Sequence, residues 1–376
     1  MRAASLLALS VLLFTAGCGG FFVYPGSTGS GGGGTSATGD YVYVANSTTS
    51  NLAGFAVGTG TLAPVTGSPY ILPEQPRAIA INPANSLLYV AGITGIYAYG
   101  IQSTGMLTAL NGGLPAATAV VAAMDVTPDG QWLIALNATV SGGSGSIGVY
   151  QINSTTGGLS ARATAFPVSG SAPKASAIKV APNAQYVFAA LGTSGTLVFP
   201  FNTVSGALST PTQIVEPTNL NADNAVAVDP TSTYLYIARS GGGTYGGLAV
   251  YPIGSTGQIT GSPFPTGDSQ PYSVIINKAG TDVYVANKGA GTISGFSIGS
   301  NGALTALAGS PYSAGSQVIA LALDNSGNYL LSAAQGGSPD LSLYSFDTPT
   351  TGKLDAAASS ATGTDPTGAI ALATTH

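Results

Sequence analysis

The amino-acid sequence predicts an all-β fold made of one unit repeated around a ring, and three observations support this prediction. Charged residues make up only 6% of the 376-residue chain, whereas glycine occurs 54 times. This composition suits short strands and tight turns, and it does not suit long helices with charged outer faces. In addition, one eleven-residue pattern recurs six times, and the chain ends on a single apolar segment that can complete the repeat.

The six copies of the pattern align without gaps and begin 45, 54, 48, 48 and 47 residues apart. Each copy ends one apolar strand, turns through Pro, Asn, Asp or Gly, and begins a second strand rich in Tyr, Leu and Val. The spacing is close to the roughly 40–50 residues of known β-propeller blades. The copies are Ile81–Ala91 (INPANSLLYVA), Val126–Leu136 (VTPDGQWLIAL), Val180–Ala190 (VAPNAQYVFAA), Val228–Ala238 (VDPTSTYLYIA), Ile276–Ala286 (INKAGTDVYVA) and Leu323–Ala333 (LDNSGNYLLSA).

Two more strands follow in each repeat. The third strand usually begins after a glycine and carries an aromatic residue, as in Gly95–Ile101 and Gly195–Phe201. The fourth opens with Gly-x-Leu or Gly-x-Ile, as in Gly105–Leu107 and Gly257–Ile259. Four short antiparallel strands per repeat are typical of one propeller blade.

The two ends of the chain give the number of blades. The N-terminal copy begins at its second strand, Asp40–Ala45, and the chain ends with a lone first strand, Gly368–Ala373. Six copies have their own first strand, so the lone strand completes a seventh. The sequence therefore predicts one seven-bladed β-propeller over residues 40–376, closed by strands from both termini so that no sheet edge is left open at the seam.

Aromatic side chains recur in the second strands, at Tyr89, Phe188, Tyr236 and Tyr284, and Trp132 lies at a neighbouring position. We interpret them as packing between blades rather than as parts of a cofactor site. The first strands carry small residues, which is expected where seven blades converge on one axis.

Residues 1–17 are predicted to be an export signal. Arg2 supplies a positive charge, Ala3–Phe14 is an apolar run too short to span a bilayer, and small residues follow. Thr15–Cys18 resembles a bacterial lipoprotein signal, although the first position is usually leucine. We therefore predict that the protein is exported and held on a bacterial membrane, facing the periplasm or the cell surface. An ordinary cleaved signal remains the alternative.

Cys18 is the predicted lipidation site and is the only cysteine in the chain, so an internal disulfide is excluded. Residues 18–39 would then form the lipidated cysteine and a flexible Gly/Ser linker. The run Gly31–Gly34 lacks the Lys-Ser/Thr ending of a phosphate-binding loop.

Charge and composition exclude several classes of function. The net charge is −5 and no Lys/Arg cluster is present, which excludes nucleic-acid binding. No Cys/His set for zinc exists, and Asp324–Asn328 lacks the glutamate that would complete a calcium loop, so we interpret it as a strand connection. We expect a monomer with no metal and no cofactor.

The chain from about Asp40 to its end resembles known propeller families. Tyr41–Asn46 and Val283–Asn287 resemble the tyrosine-valine repeats of bacterial surface propellers. The blade ends resemble those of the 6-phosphogluconolactonase-type seven-bladed lactonase family; they are Gly67–Tyr70, Gly261–Phe264 and Gly309–Tyr312. That resemblance implies opening of sugar lactones by charged and histidine side chains at one mouth of the channel. Here His376 is the only histidine, and as the last residue it is expected to be frayed, which leaves no histidine base in the channel.

The loops that enter the innermost strands are the predicted site, because ligands of propellers usually meet these loops or the channel beneath them. Glu74 is predicted to activate water, while Arg77 or Lys174 stabilises the oxyanion of a lactone intermediate. The alternative is that all of these charges are solvated loop residues. The further predicted ligand-binding residues are Lys174, Asp223, Asp268, Gln270 and Asp365.

Two functions follow from this sequence. The favoured one is a binding module at the cell envelope, which takes a protein, a glycan or a small molecule at the propeller mouth. The other is a lactone hydrolase that acts on a sugar-derived lactone; export counts against a phosphorylated substrate, which is made inside cells. A hydrolase should bring Glu74, Arg77 and one further charge together in a concave mouth.

Overall fold

A computed structural model describes residues 39–137, 145–162, 166–168, 176–214, 221–241, 246–259, 262–268, 270–347, 352–362 and 368–376. It contains seven antiparallel sheets arranged as the blades of a propeller. Each innermost strand contacts the innermost strands of both neighbouring blades, and these contacts form a closed cycle. The predicted all-β, seven-bladed fold is therefore confirmed. The predicted signal and Cys18 lie outside the described residues.

Blade 1 contains β1 (Tyr41–Asn46), β2 (Asn51–Gly58), β3 (Thr61–Pro64) and β4 (Tyr70–Ile71), together with the closing strand from the C-terminus. Blade 2 contains β5 (Ala78–Ile81), β6 (Leu87–Ala91), β7 (Gly95–Ile101), β8 (Leu107–Ala109) and β9 (Ala117–Thr118). Blade 3 contains β10 (Val121–Val126), β11 (Trp132–Asn137), β12 (Gly145–Ile152), β13 (Leu159–Ala161) and β14 (Phe166–Val168). A short 3₁₀ turn, Asn111–Gly113, lies between β8 and β9.

Blade 4 contains β15 (Ala177–Val180), β16 (Tyr186–Ala190), β17 (Thr196–Asn202), β18 (Ala207–Leu208) and β19 (Thr212–Ile214). Blade 5 contains β20 (Ala222–Val228), β21 (Tyr234–Ser240) and β22 (Gly247–Pro252). Blade 6 contains β23 (Pro271–Ile276), β24 (Asp282–Asn287), β25 (Thr292–Ile298), β26 (Leu304–Ala306) and β27 (Tyr312–Ser313). Blade 7 contains β28 (Val318–Leu323), β29 (Tyr329–Ala334), β30 (Leu341–Phe346) and β31 (Leu354–Ser360), and the closing strand is β32 (Ala369–Thr374).

The prediction of four strands per blade holds for six blades, and blade 5 departs from it. In five blades the outermost strand is divided into two short pieces that both pair with the third strand. Blade 5 has only β20, β21 and β22 among the described residues. The predicted fourth strand at Gly257–Ile259 is not a strand, because the amide of Ile259 makes one bond to the carbonyl of Val250 (3.0 Å) and no ladder continues from it.

The repeated turn between the first and second strands has a common hydrogen-bonding pattern. In five of the six copies, the side chain of its first residue accepts a hydrogen bond from the backbone amide at the start of the second strand, which explains the Asn, Asp or Thr there; the copy in blade 4 has Ala181 at this position. Asp324 belongs to this set, so the segment after it is the strand connection that the sequence predicts. The bonds are Asn82 Oδ1 to the amide of Leu87 (2.8 Å), Thr127 Oγ1 to Trp132 (3.0 Å), Asp229 Oδ1 to Tyr234 (2.5 Å), Asn277 Oδ1 to Asp282 (3.0 Å) and Asp324 Oδ1 to Tyr329 (2.7 Å).

The core consists of seven apolar clusters, and each cluster lies between two neighbouring blades. Phe188 packs on residues of blade 5, and Tyr236 packs on residues of blade 6. The predicted role of the second-strand aromatics in packing between blades is therefore confirmed. Because each blade buries its apolar faces only against its neighbours, stability depends on a complete ring.

Polar tips of these aromatic side chains also bond to the next blade. The hydroxyl of Tyr43 donates to the carbonyl of Gly105 (2.6 Å), and the hydroxyl of Tyr284 donates to that of Gly352 (2.6 Å). The accepting turns contain glycines with positive φ, such as Gly105 at 77°. The ring of Tyr41 occupies the place that a Cβ on Gly105 would need, at 2.3 Å. The glycine of the Gly-x-Leu pattern thus serves both the turn and the aromatic packing.

The ring is closed by β32, which pairs antiparallel with β1 over Val42–Asn46. The seam continues past the strand, since the amide of Thr375 donates to the carbonyl of Tyr41 (2.9 Å). The expectation that His376 is frayed is wrong. Its amide donates to Asn85 Oδ1 (2.8 Å), and Asn85 Nδ2 donates to the carbonyl of His376 (2.9 Å), so the last residue is tied to blade 2.

Asp40 lies against the turn of blade 7 next to this seam. Its carboxylate accepts the amides of Asn325 (2.9 Å) and Ser326 (3.4 Å). Burial, together with the neighbouring carboxyl group of Asp324, raises the pKa of Asp40 to about 6, although the two backbone bonds act in the opposite direction. The folded protein therefore holds a proton here at pH values where an unfolded aspartate has already lost it.

We expect Gly206→Ala to lower the free energy of unfolding by about 2–4 kcal/mol. Gly206 has a φ of 67°, and an added Cβ would lie 2.6 Å from the Trp132 ring. Gly254→Ala is the matched control, because its φ is 87° but nothing lies within 4 Å of the added Cβ. It should cost only the backbone strain, about 1–2 kcal/mol. Equal losses in urea unfolding would contradict the packing role of the glycine.

We expect Asp40→Asn to stabilise the protein by about 1–2 kcal/mol at pH 7.5 and to change its stability little at pH 4. The gain at pH 7.5 is modest because solvent partly screens the repulsion between the carboxyl groups of Asp40 and Asp324. The raised pKa means that stability from Asp40 declines as pH rises from about 4 to about 6, and asparagine removes this decline. Melting temperatures at pH 4, 5, 6 and 7.5 test it. Asp347→Asn, whose carboxylate faces Lys353 at 3.6 Å, should give no gain. A similar gain in both variants would count against the carboxyl pair.

Candidate functional site

A cavity of about 570 Å³ lies on the propeller axis, at the end where the innermost strands begin. All seven blades contribute to its wall. Most lining residues are small or aliphatic, and the polar ones carry hydroxyl or amide groups. The lining residues are Ser47, Gln75, Pro76, Arg77, Ala78, Ile79, Ala122, Ala123, Met124, Ser176, Ala177, Ile178, Asn224, Ala225, Tyr272, Ser273, Ile319, Ile370 and Ala371.

One position of the repeat supplies a wall residue from each of the six aligned copies. It lies four residues before the aligned segment, and its side chain differs in every copy: Arg77, Ala122, Ser176, Asn224, Tyr272 and Ile319. The next position along the strand is Ala in five copies and Ser in one. One wall position thus carries six different side chains while the position after it stays small.

Arg77 is the single charged residue of the cavity wall within the described part of the chain. Its side chain is exposed at the mouth, just before β5, and the backbone amide of Arg77 donates to the carbonyl of Ala91 (2.8 Å). No hydrogen bond or ion pair of its guanidinium is found among the described residues. A cation in this setting attracts an anion or a developing negative charge.

Glu74 lies on the same loop as Arg77 but does not line the cavity. Its carboxylate accepts the amide of Thr94 (2.7 Å), the hydroxyl of Thr94, and the hydroxyl of Tyr97 (2.7 Å). Partial burial acts to raise its pKa, but these hydrogen bonds outweigh it and the pKa of Glu74 is lowered. The carboxylate therefore fastens the loop to the turn between β6 and β7.

Asp268 and Gln270 lie before β23, in blade 6, and neither lines the cavity. Asp268 Oδ2 accepts the amide of Ala290 (3.0 Å), and the carbonyl of Gln270 accepts the amide of Lys288 (2.9 Å). Lys288 Nζ lies 4.7 Å from the ring centre of Tyr272, which is a wall residue. This contact places a second positive charge close to the mouth.

Asp223 is fully buried in blade 5, away from the cavity wall. One of its carboxylate oxygens accepts from Arg239 Nε (2.9 Å), and the other accepts from the hydroxyl of Thr196 in blade 4 (2.7 Å). Both members of this ion pair have fully buried side chains. Asp223 thus joins two blades.

The structure places the predicted site residues in different surroundings. Of the candidates that it describes, only Arg77 reaches the cavity; Glu74, Asp223, Asp268 and Gln270 are spread over blades 2, 5 and 6. Lys174 and Asp365 lie outside the described residues. Glu74 and Arg77 are not joined by a hydrogen bond or ion pair in the described chain. Catalytic and ligand-binding roles for these residues remain predictions.

Three wall residues that were not among the predicted site residues bring hydrogen-bonding groups to the cavity. Asn224 Nδ2 donates to the carbonyl of Pro271 (2.8 Å), and Ser273 Oγ accepts the amide of Leu321 (3.2 Å). These bonds leave Asn224 Oδ1 and the Ser273 hydroxyl hydrogen for a ligand, beside Tyr272. Comparing the first strands position by position could have found Asn224 and Tyr272, because Ala or Ile occupies their place in other copies.

His376 does not face this cavity. It lies at the other end of blade 2, where its ring is 3.4 Å from the carbonyl of Ile81. Within the described ranges, no group of three or more His, Cys, Asp or Glu residues could hold a metal ion. Among these same residues, no helix is long and apolar enough to span a membrane.

The fold defines the chain as a seven-bladed β-propeller with a cavity of about 570 Å³ on its axis. Residues 259–370 match the family model described as "Lactonase, 7-bladed beta-propeller". This match confirms, for that segment, the resemblance stated from the sequence. No curated protein matches the chain.

Solved structures show the same fold. A protein of Bacteroides uniformis described as a candidate 6-phosphogluconolactonase has 16% identity and a TM-score of 0.72, covering 89% of this chain and 99% of its own. A protein of Bacteroides fragilis with the same description has 16% identity and a TM-score of 0.69, with coverage of 90% and 99%. The periplasmic gluconolactonase of Pseudomonas aeruginosa has 15% identity and a TM-score of 0.67, again with coverage of 90% and 99%.

We expect Asp223→Ala to lower the free energy of unfolding by about 3–5 kcal/mol, because it removes the carboxylate partner of a buried guanidinium. Asp268→Ala removes one hydrogen bond between a side-chain carboxylate and a backbone amide at a partly exposed site, and it should lower the free energy of unfolding by about 1 kcal/mol. Urea unfolding of both variants measures the difference. A loss for Asp223→Ala no larger than that for Asp268→Ala would show that the buried pair is not a structural bond between blades.

Proposed function

We propose that this protein hydrolyses a lactone and that the axial cavity is its substrate site. The observation that carries the proposal is Arg77, an exposed guanidinium in a cavity whose other described wall residues are neutral. The family match over residues 259–370 supports lactone chemistry over simple binding. The neighbours described as gluconolactonases support it as well, through their shared fold.

The chemistry needs a positive group at one place. A water molecule adds to the lactone carbonyl carbon, the ring C–O bond breaks, and the ring oxygen takes a proton, which gives a hydroxy acid. Negative charge builds up on the former carbonyl oxygen before the ring opens. Because the lactone itself is neutral, Arg77 interacts more strongly with the transition state than with the substrate, and this difference accelerates the reaction.

The neutral wall favours a sugar-derived lactone. Sugar hydroxyl groups both donate and accept hydrogen bonds, so a site for them needs both kinds of partner. Asn224 Oδ1 can accept, the hydroxyls of Ser273 and Tyr272 can donate, and the exposed amide of Gln75 can do both.

Glu74 supports this site by positioning Arg77 in our proposal. Its carboxylate already accepts three hydrogen bonds from Thr94 and Tyr97, and its lowered pKa makes it a weak base. The loop that it fastens carries both Gln75 and Arg77 into the wall. Activation of water by Glu74, as the sequence predicts, remains a separate hypothesis.

We further propose, from the sequence, that the protein acts outside the cytoplasm while anchored through Cys18. An unphosphorylated lactone is then the expected substrate. A binding module at the same mouth, for a protein, a glycan or a small molecule, is the competing function, and no described contact favours it over hydrolysis.

We expect the purified protein to open at least one of glucono-1,5-lactone, galactono-1,4-lactone and 6-phosphogluconolactone faster than buffer, measured by proton release in a pH-stat. Arg77→Ala should lower kcat/KM by about 10²–10³-fold, as loss of an oxyanion partner does.

Arg162→Ala is the matched control for the arginine substitution. Arg162 is also exposed, but it lies over the Trp132 ring on the outer part of blade 3, 5.6 Å from the ring centre. Its loss should change kcat/KM by less than about twofold, as a substitution remote from the site. No turnover above buffer on any lactone would reject the hydrolase, and saturable sugar binding without turnover would establish the binding module.

A further inference from the structure

We infer that the axial cavity is a binding site for sugar-acid anions, that is, open-chain polyhydroxy carboxylates. The inference rests on the proposed function for the location of the site. It names a different ligand from the lactone, namely the charged hydroxy acid that ring opening would produce, and it holds whether or not the protein catalyses that step.

The first argument is the absence of a counter-ion for Arg77 in the described chain. The chain as a whole carries a net charge of −5, yet no described carboxylate lies in the cavity wall. A guanidinium binds a carboxylate through two parallel hydrogen bonds, a geometry that an ammonium group cannot reproduce. An anion that enters the cavity therefore meets no described carboxylate competing for Arg77.

The second argument is that the described carboxylates near the cavity are engaged elsewhere. Asp125, which follows the wall residue Met124 on β10, pairs with Lys179 Nζ (3.1 Å). Glu74 is bonded to Thr94 and Tyr97, and Asp268 is bonded to the amide of Ala290. Asp223 is buried against Arg239. Because each acid is held by its own donors, none of the four pairs with Arg77, and the guanidinium remains available to a ligand.

The third argument is the second cation close to the wall. Lys288 Nζ lies over the face of Tyr272, 4.7 Å from the ring centre. Tyr272 is a wall residue, so this ammonium group lies beside the wall and adds a positively charged group near the cavity.

The remaining wall gives the site its preference for a polyol carboxylate over a simple anion. Gln75, Asn224, Tyr272 and Ser273 offer acceptors and donors for hydroxyl groups. The cavity of about 570 Å³ is in the usual range for small-molecule sites, roughly 300–1,000 Å³, and is far larger than a lone carboxylate needs. Charge and hydroxyl groups should therefore contribute together.

Isothermal titration calorimetry with sodium gluconate, sorbitol, sodium acetate and inorganic phosphate tests this inference. We expect gluconate to bind at least about tenfold more tightly than each of the other three, because only gluconate combines the carboxylate with the hydroxyl groups. Its affinity should fall as salt concentration rises, as expected for a charge-assisted contact.

Substitutions at Arg77 test the mechanism of binding. Arg77→Gln should weaken gluconate binding at least about tenfold, Arg77→Lys should have an intermediate effect, and Arg162→Gln should have none. Circular dichroism melting curves show whether each variant is folded. Sorbitol, acetate or phosphate binding as tightly as gluconate would overturn the inference, as would unchanged gluconate binding by Arg77→Gln.

The outcomes also separate this inference from the proposed function. Gluconate binding without lactone turnover keeps the inference and rejects the hydrolase. If lactone is turned over, gluconate does not inhibit the turnover, and calorimetry detects no heat of gluconate binding, the hydrolase is kept and the inference is rejected.

Discussion

The closure of the ring is the constraint on which the rest of this structure depends. Every apolar cluster lies between two blades, so a blade without both neighbours would expose one face of its sheet. The strand β32 removes that exposure by pairing with β1, and Asn85 then holds the backbone of His376. Because the two ends of the chain meet in one sheet, local opening of the seam would release the packing on both sides.

The contacts between blades explain why the axial wall is free to vary. Aromatic side chains such as Tyr43 and Tyr284 bind the glycine turns of the next blade in the outer part of the ring. On the inside, Asn224 and Ser273 bond to the backbone of the following blade. The blades are thus held together without using every side chain that faces the axis. One position of each repeat can differ, and there the copies carry Arg, Ala, Ser, Asn, Tyr and Ile.

The scarcity of charge makes each charged residue informative, but the information lies in its partners. Three charged residues, Glu74, Arg77 and Asp223, lie at or just before the beginning of an innermost strand, yet they have three different environments. Glu74 fastens a loop, Asp223 neutralises a buried arginine, and Arg77 stands in the cavity wall. The electrostatic character of the cavity wall follows from this division, since no described acid lines the cavity and one described cation does.

The sequence by itself determined the all-β class, the seven blades and the closing strand, because a repeat of about 48 residues fixes the number and order of strands through local patterning. It also identified the turns and the aromatic residues between blades. It could not show that Arg77 lines the cavity whereas Glu74 does not. Nor could it show that Asp223 is buried or that His376 is hydrogen-bonded to Asn85. Only the tertiary structure decided these, because burial and hydrogen-bond partners depend on residues far apart in the chain, which meet only when the ring is closed.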